Sequence, residues 1–190
     1  MKKQLINYET MIRIAKGISH SRDPEEVVLI TVEGIKTALD AKGCALFLVN
    51  RKTHELEMAA SYGLSDKYVN KGPLSALQSI AQSLEEGPVA IFDVGDDPRI
   101  QYPQEAKEEG IASILSVPIT IRGKLAGALR VYTSEPWEFT LDDVNFVQAL
   151  AQIAGMAIEM SRLYQGQKEA IDILKSMREA KRAKGEEPLL

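Results

Sequence analysis

The side chains that most often do chemistry in proteins are scarce in this chain. One cysteine, Cys44, and two histidines, His20 and His54, are its whole stock of thiol and imidazole. None lies at the three- or four-residue spacing that brings two ligands onto one helix face, and there is no CxxC pair. A zinc site of the usual nitrogen and sulfur ligands is therefore not expected, and no metal-ligating residue is assigned. Cys44 opens the apolar run CALFLV (44–49), the setting of a small buried hydrophobe. A phosphate loop fails because Leu125 follows Gly123-Lys124, and neither GxSxG nor GxGxxG occurs. No nucleophile–base pair assembles from these residues, so no catalytic residue is assigned and the chain reads as a non-enzyme.

The residues suited to holding a small molecule are of other types. Asp93, Asp96, Asp97 and Arg99 crowd one polar loop, DVGDDPRIQYP (93–103), where they can coordinate an ion, hydrogen-bond an effector or cap turns beside Pro98. Tyr62, Tyr68 and Tyr102 pair an apolar ring with a polar tip, which suits a pocket wall or plain packing. Ser113 and Ser116 stand in the otherwise apolar run SILSVPITI and need partners if buried, from backbone or ligand. Tyr62, Tyr68, Asp93, Asp97, Arg99, Tyr102, Ser113 and Ser116 are thus the candidates for ligand contact.

Apolar spacing indicates the elements that must position them. Leu5, Met11, Ile14 and Ile18 stripe a helix over residues 4–20. Asp23 as N-cap, Pro24 at the first position and Glu26 at the third open a second helix through Leu39, with Gly43 as its stop. Residues 44–49 read as a central strand covered on both faces. After a polar turn (50–53), residues 54–62 alternate, with Leu56, Met58, Ala60 and Tyr62 on one face, which makes an antiparallel hairpin. A short helix is predicted from Leu74 to Glu86, a strand over 89–92, and one or two helical turns after 103. Runs 113–121 and 124–133 flank Arg122-Gly123, a hairpin signal, and Gly127 reads as room for the final helix. Thr140 with Asp143 opens a long closing helix striped by Val144, Val147, Ala151, Ala154 and Ile158. Ile171, Leu174 and Met177 continue its pattern after Gly166. The class is α+β, with an antiparallel sheet of five to six strands and long N- and C-terminal helices.

The 190 residues are 45% apolar and 26% charged with a net charge of -4, enough for one domain with a real core and no field to gather nucleic acid. No 18-residue apolar run or secretory leader is present, so neither membrane nor nucleic acid is expected as a partner and the cytoplasm is the expected location. A closing helix of about forty residues spans ~60 Å, more than the width of a domain this size, so its end projects or pairs. Pairing with a second copy is the economical arrangement. Leu5, Met11, Ile14, Ile18, Val144, Val147, Ala151 and Ile158 are the candidate interface residues.

Five fragments in order carry a resemblance to a known family. They are the DPEEVV helix start, the CALFLV strand, ASYGLSDKY, GPVAIFDVGDDPRIQYP, and EGIASILSVPITIRGKLAGALRVYT followed by a connector and Phe139 before Asp142-Asp143. From about Leu5 to Tyr164 the chain resembles the GAF domain, a small-molecule sensing module related in shape to the PAS domain. The resemblance implies first, second and last helices on one face of the sheet, and a short helix with the Asp-rich loop closing a pocket on the other. It also implies a homodimer through the terminal helices. Its departures narrow the ligand: Tyr132-Thr133 replace the Asn-Lys of cyclic-nucleotide members, and Val144 follows Asp143 where they carry Glu. The cysteine context of bilin-binding members is missing, and one cysteine is too few for the thiol turnover of the methionine-sulfoxide reductases of this fold. Haem ligation through His54, in a polar turn, is disfavoured. The cofactor is left unassigned.

The expected organisation is an N-terminal dimerisation helix (1–22), a GAF domain (23–165) and a helical extension with a frayed tail (166–190). The expected function is to bind an effector of unknown identity between sheet and loop, and to signal through dimeric terminal helices to a separate partner protein. The alternative is a ligand-free dimerisation scaffold whose pocket is filled.

Overall fold

A computed structural model describes residues 8–21, 23–50, 52–53, 55–72, 74–75 and 87–183. Helices α1 (Tyr8–His20) and α2 (Pro24–Ala38) are followed by β1 (Gly43–Val49), β2 (Glu55–Tyr62), the single turn α3 (Asp66–Val69) and β3 (Leu74–Ser75). Then come β4 (Val89–Ile91), α4 (Pro103–Glu108), β5 (Ser113–Ile121), β6 (Lys124–Thr133) and α5 (Leu141–Ala183). The strands form one sheet in the order β3-β2-β1-β6-β5-β4, and every neighbouring pair is antiparallel. The α+β architecture expected from the two hairpins is the one observed.

Local chemistry explains the boundaries. Asp23 Oδ1 accepts from the Glu25 N–H at 3.0 Å, with Pro24 at the first helical position, where its missing N–H costs nothing. The second half of the capping box is replaced, because Glu26 takes the Ser21 hydroxyl instead. The α2 helix ends at Ala38 and the chain turns through Asp40 at φ +48; Gly43, the predicted stop, is the first residue of β1. Arg122 and Gly123 both have positive φ, as a two-residue turn matching strand twist requires. At α5 the box is complete: Asp143 Oδ2 accepts from the Thr140 N–H and hydroxyl, both at 2.8 Å, and the Asp143 N–H donates back to Thr140 Oγ1.

Two apolar clusters lie on opposite faces of the sheet. The back cluster joins α1, α2 and α5 to Cys44, Leu46, Leu115, Val117, Ile119, Leu129 and Val131. The front cluster joins Ala45, Phe47, Leu56, Ala128 and Tyr132 to Tyr68 of α3, Leu74, Val94 of the Asp-rich loop and Ala106 of α4. No helix among the described residues is long and apolar enough to cross a membrane.

Several expectations are corrected. A bulge at Ala59 lets Leu46 pair with Ala60 while Phe47 pairs with Met58. Leu56 and Met58 therefore face front, whereas Ala60 packs on the back cluster, so the even-numbered residues of β2 do not share one face. Leu74 and Ser75 are an edge strand on β2, not a helix start; residues 76–86 lie outside the described residues, as do Leu5, His54 and the tail from 184. A Cβ on Gly127 would lie 2.2 Å from the Phe47 carbonyl oxygen, so this glycine admits β1 rather than the final helix. Gly155 of α5 serves that purpose, since its Cβ would lie 2.3 Å from Ile119 Cγ2.

The interface candidates are also placed differently. Ile14, Ile18, Val147, Ala151 and Ile158 are each at most 4% exposed within one chain, and Met11 and Val144 pack against the same cluster. Those five cover the back of the sheet within one chain, while Met11 and Val144 are only partly buried and Leu5 lies outside the described residues. Helical periodicity reports that a face is buried, not against what. What α5 leaves outside is Met156, Met160, Leu163, Ile171, Leu174 and Met177, each at least 47% exposed. Every side chain from Arg162 to Glu179 is exposed, on a helix of 43 residues that is about 64 Å long at 1.5 Å per residue.

Candidate functional site

Strand β6 lies at the centre of the sheet between β1 and β5, and Ala128, Arg130 and Tyr132 share its front face. Arg130 stands opposite Ala45 on β1 and Ser116 on β5, and Ser116 stands opposite Val89 on β4. Burial is nearly complete along this row: Arg130 is 5% exposed, Ser116 0% and Tyr132 1%. Even so, Arg130 Nε and Nη2, Ser116 Oγ and Tyr132 Oη make no hydrogen bond. Buried polar atoms are nearly always paired, and an orphan loses its hydration for nothing. Four such atoms gather in this small region.

Aromatic and cationic groups surround them. The Arg130 guanidinium carbon is 5.2 Å from the Phe47 ring centroid. Tyr132 meets Tyr68 edge-to-face at 5.8 Å, and Tyr68 is held because Ser65 caps α3 through its hydroxyl. Burial raises both phenols, Tyr132 to about 12, so both are neutral donors at pH 7. Lys71 Nζ lies 3.7 Å from the Tyr68 centroid and 5.9 Å from that of Tyr102, and donates to the Tyr68 carbonyl at 3.0 Å. Burial, and then the charge of Arg130, lowers the Lys71 ammonium to about 8. Glu105 and Glu109 pull the other way, but Glu109 is engaged by the Ser65 N–H at 3.0 Å, the Ser65 hydroxyl, and Lys42 at 3.7 Å. The site thus holds two cations, and no ion pair to either occurs among the described residues.

Paired charges occur outside this region. A surface cleft of about 350 Å³ between α3 and α4 is lined by Lys42, Lys67, Glu105, Glu108 and Glu109, with Lys67 and Glu108 paired at 2.7 Å. No group of three His, Cys, Asp or Glu among the described residues could hold a metal. Cys44 is fully buried on the back side, and burial pushes its thiol well up, which leaves it unreactive.

The sequence candidates divide accordingly. Tyr68 and Ser116 belong to the buried site, and Tyr102 packs on its edge beside Lys71. Ser113 is satisfied by backbone, donating to the Phe92 carbonyl at 2.6 Å and accepting from the Trp137 N–H at 2.9 Å. Asp93 is exposed and accepts from the Gly95 N–H. Asp97 caps its own turn at the Arg99 N–H and grips the Arg99 guanidinium, whose hydrogen bonds hold its carboxyl below the usual range. Tyr62 stands opposite Cys44 beyond the bulge, on the helix side and 42% exposed. Arg130, Tyr132 and Lys71 were not among the candidates. The signal for Arg130 was there to read: one charged residue inside LAGALRVYT, on a strand paired on both sides.

Comparison with known proteins bears on the fold. The GAF domain family model matches residues 21–159. Among solved structures, the GAF domain of a phosphoenolpyruvate-protein phosphotransferase from Coxiella burnetii is 23% identical, with a TM-score of 0.77 over 87% of this chain and 99% of that one. Its counterpart from Acinetobacter is also 23% identical, with a TM-score of 0.72 over 82% and 94%. A free methionine-R-sulfoxide reductase from Neisseria meningitidis, in complex with its substrate, is 20% identical, with a TM-score of 0.70 over 83% and 90%. No curated protein matches the chain.

Proposed function

Because the chain belongs to the GAF domain family, we propose that it is a small-molecule-sensing module without enzymatic activity. In this reading an effector lies against the front of the sheet, beneath the Asp-rich loop, and its presence passes through paired terminal helices to a partner protein. One observation carries the reading: Ser116, Arg130 and Tyr132 are buried together with polar atoms that have no partner. An effector supplies those partners. Similarity of fold does not settle function, but the Neisseria reductase of similar fold holds its substrate, which supports a ligand here.

The route to the helices is short. Strands β5 and β6 present Ser116 and Arg130 to the front, and Val117, Ile119, Leu129 and Val131 to the back, where they pack with Val147, Ala151 and Ala154 of α5. A ligand that binds two arrangements of these strands with different affinity shifts α5 by that difference and no more. Exposed Met160, Leu163, Ile171 and Leu174 give α5 an apolar surface for a second copy.

The experiment is thermal denaturation against nucleotides, amino acids and aromatic acids. A specific binder raises the midpoint by mass action. No response across the panel overturns the reading in favour of the ligand-free scaffold, which the apolar filling of the front by Phe47, Leu56, Leu74 and Ile114 would then explain.

A further inference from the structure

We infer that the effector is a small anion, and that its carboxylate or phosphate oxygens seat on the side-on fork of Arg130. This rests on the sensing reading above and adds the chemical class of the ligand.

The chain contains its own comparison. Arg99 uses Nε and Nη2, the two nitrogens on one edge of the guanidinium, to grip both oxygens of Asp97 at 2.9 and 2.6 Å. That planar two-point match is what makes arginine selective for carboxylate and phosphate. Arg130 presents the same two nitrogens, buried and without a well-formed hydrogen bond, with the Tyr132 phenol beside the guanidinium. Where Arg99 has an aspartate two residues away, Arg130 has Ala128 and Tyr132 on its own face, Ala45 and Ser116 across the sheet, and the Phe47 ring 5.2 Å off.

Charge then separates the classes of ligand. A buried cation without a counter-ion is among the most costly arrangements in a folded protein, and the Phe47 ring compensates only part of it. A cationic ligand would add to that cost and a neutral one would leave it standing. An anion removes it. The remaining orphans fit the same guest, since Ser116 Oγ and the neutral Tyr132 phenol donate to oxygens the fork leaves free. Lys71 supplies a second positive charge on the Tyr68 side, which favours a doubly charged anion over a singly charged one.

The test uses the full chain at constant ionic strength in sodium chloride. The probes are inorganic phosphate, sulfate, a phosphomonoester, acetate, succinate and benzoate, each carboxylate matched with its uncharged amide. At least one oxyanion should raise the thermal midpoint by about 3–6 °C at ten times its Kd, while its amide does not. Whether the phosphate or the carboxylate arm responds identifies the oxyanion. Arg130→Met should abolish the response yet leave the ligand-free midpoint unchanged or raised, because an apolar side chain replaces an unpaired charge; that separates lost binding from lost folding. Arg130→Lys, which keeps the charge and loses the fork, should weaken binding about tenfold. Lys71→Met should weaken succinate or phosphate more than acetate. A neutral ligand whose shift survives Arg130→Met would overturn the anion and leave the sensing reading standing. Silence to every anion, with a response to a neutral compound of the wider panel, would do the same; silence to both sets would overturn the two together.

Discussion

Arg130 of β6 and Ser116 of β5 are cross-strand partners on the buried front of the sheet, and Arg130 Nε and Nη2 and Ser116 Oγ make no hydrogen bond. Three residues before Ser116, Ser113 is as deeply buried and is fully satisfied by backbone. One strand therefore carries a structural serine and an unpaired one, with burial held constant.

That contrast makes a prediction. Ser113→Ala strips a partner from the Trp137 N–H and should destabilise by about 1–2 kcal/mol, while Ser116→Ala removes an orphan and should be neutral or stabilising by up to about 1 kcal/mol. Urea denaturation of both variants checks it. Equal losses would mean that Ser116 is satisfied in solution and not waiting for a guest.

Lys71 makes stability depend on pH. Its ammonium titrates near 8 in the fold and near ~10.4 when unfolded, so between those values the unfolded chain holds more protons and stability rises with pH. The penalty is in full force below about pH 8. Groups that burial keeps protonated act in the opposite sense, the Cys44 thiol from about pH 8.5 and the Tyr68 and Tyr132 phenols from about pH 10, where the unfolded chain gives up protons that the fold retains. Facing Lys71 are the Tyr68 and Tyr102 rings, Arg130, and more distantly Glu105 and Glu109. The thermal midpoint of the wild type relative to Lys71→Met should rise from pH 7.5 to 10, because Cys44 and the buried phenols contribute equally to both chains. Parallel curves would refute this.

Gly155 sets the approach of α5 to the sheet. A methyl there collides with Ile119 Cγ2, so Gly155→Ala should cost about 1–3 kcal/mol from overpacking, against the ~1 kcal/mol that alanine returns as a better helix former. Ile119→Leu removes the colliding Cγ2 and should recover part of the loss. A double-mutant cycle measures the coupling; additive effects would place the strain elsewhere.

The outer half of α5 tests the dimer. Leu174→Glu and Met160→Glu change side chains that are 65% and 68% exposed, so neither should alter monomer stability by more than about 0.5 kcal/mol. Both should shift the protein toward monomer in sedimentation equilibrium if the helices pair. A wild type that sediments as a monomer at ~50 µM would remove the paired helices from the proposed signal.

The amino-acid sequence by itself determined most of the fold, because the devices that set it are local. Arg122-Gly123 dictates a tight hairpin through positive φ, Thr140 and Asp143 start a helix by reciprocal hydrogen bonds, and Asp23-Pro24 starts another. What such devices leave open is which neighbour each face meets. The stripe of Ile14, Ile18, Val147 and Ile158 was legible as buried, yet only packing could decide that it covers the sheet rather than a second copy. The bulge at Ala59 is invisible to alternation and moves Tyr62 to the opposite side. The site depends most on the tertiary structure. An arginine's charge becomes informative only when strands distant in sequence close around it without bringing a carboxylate, and chain spacing carries no record of that absence.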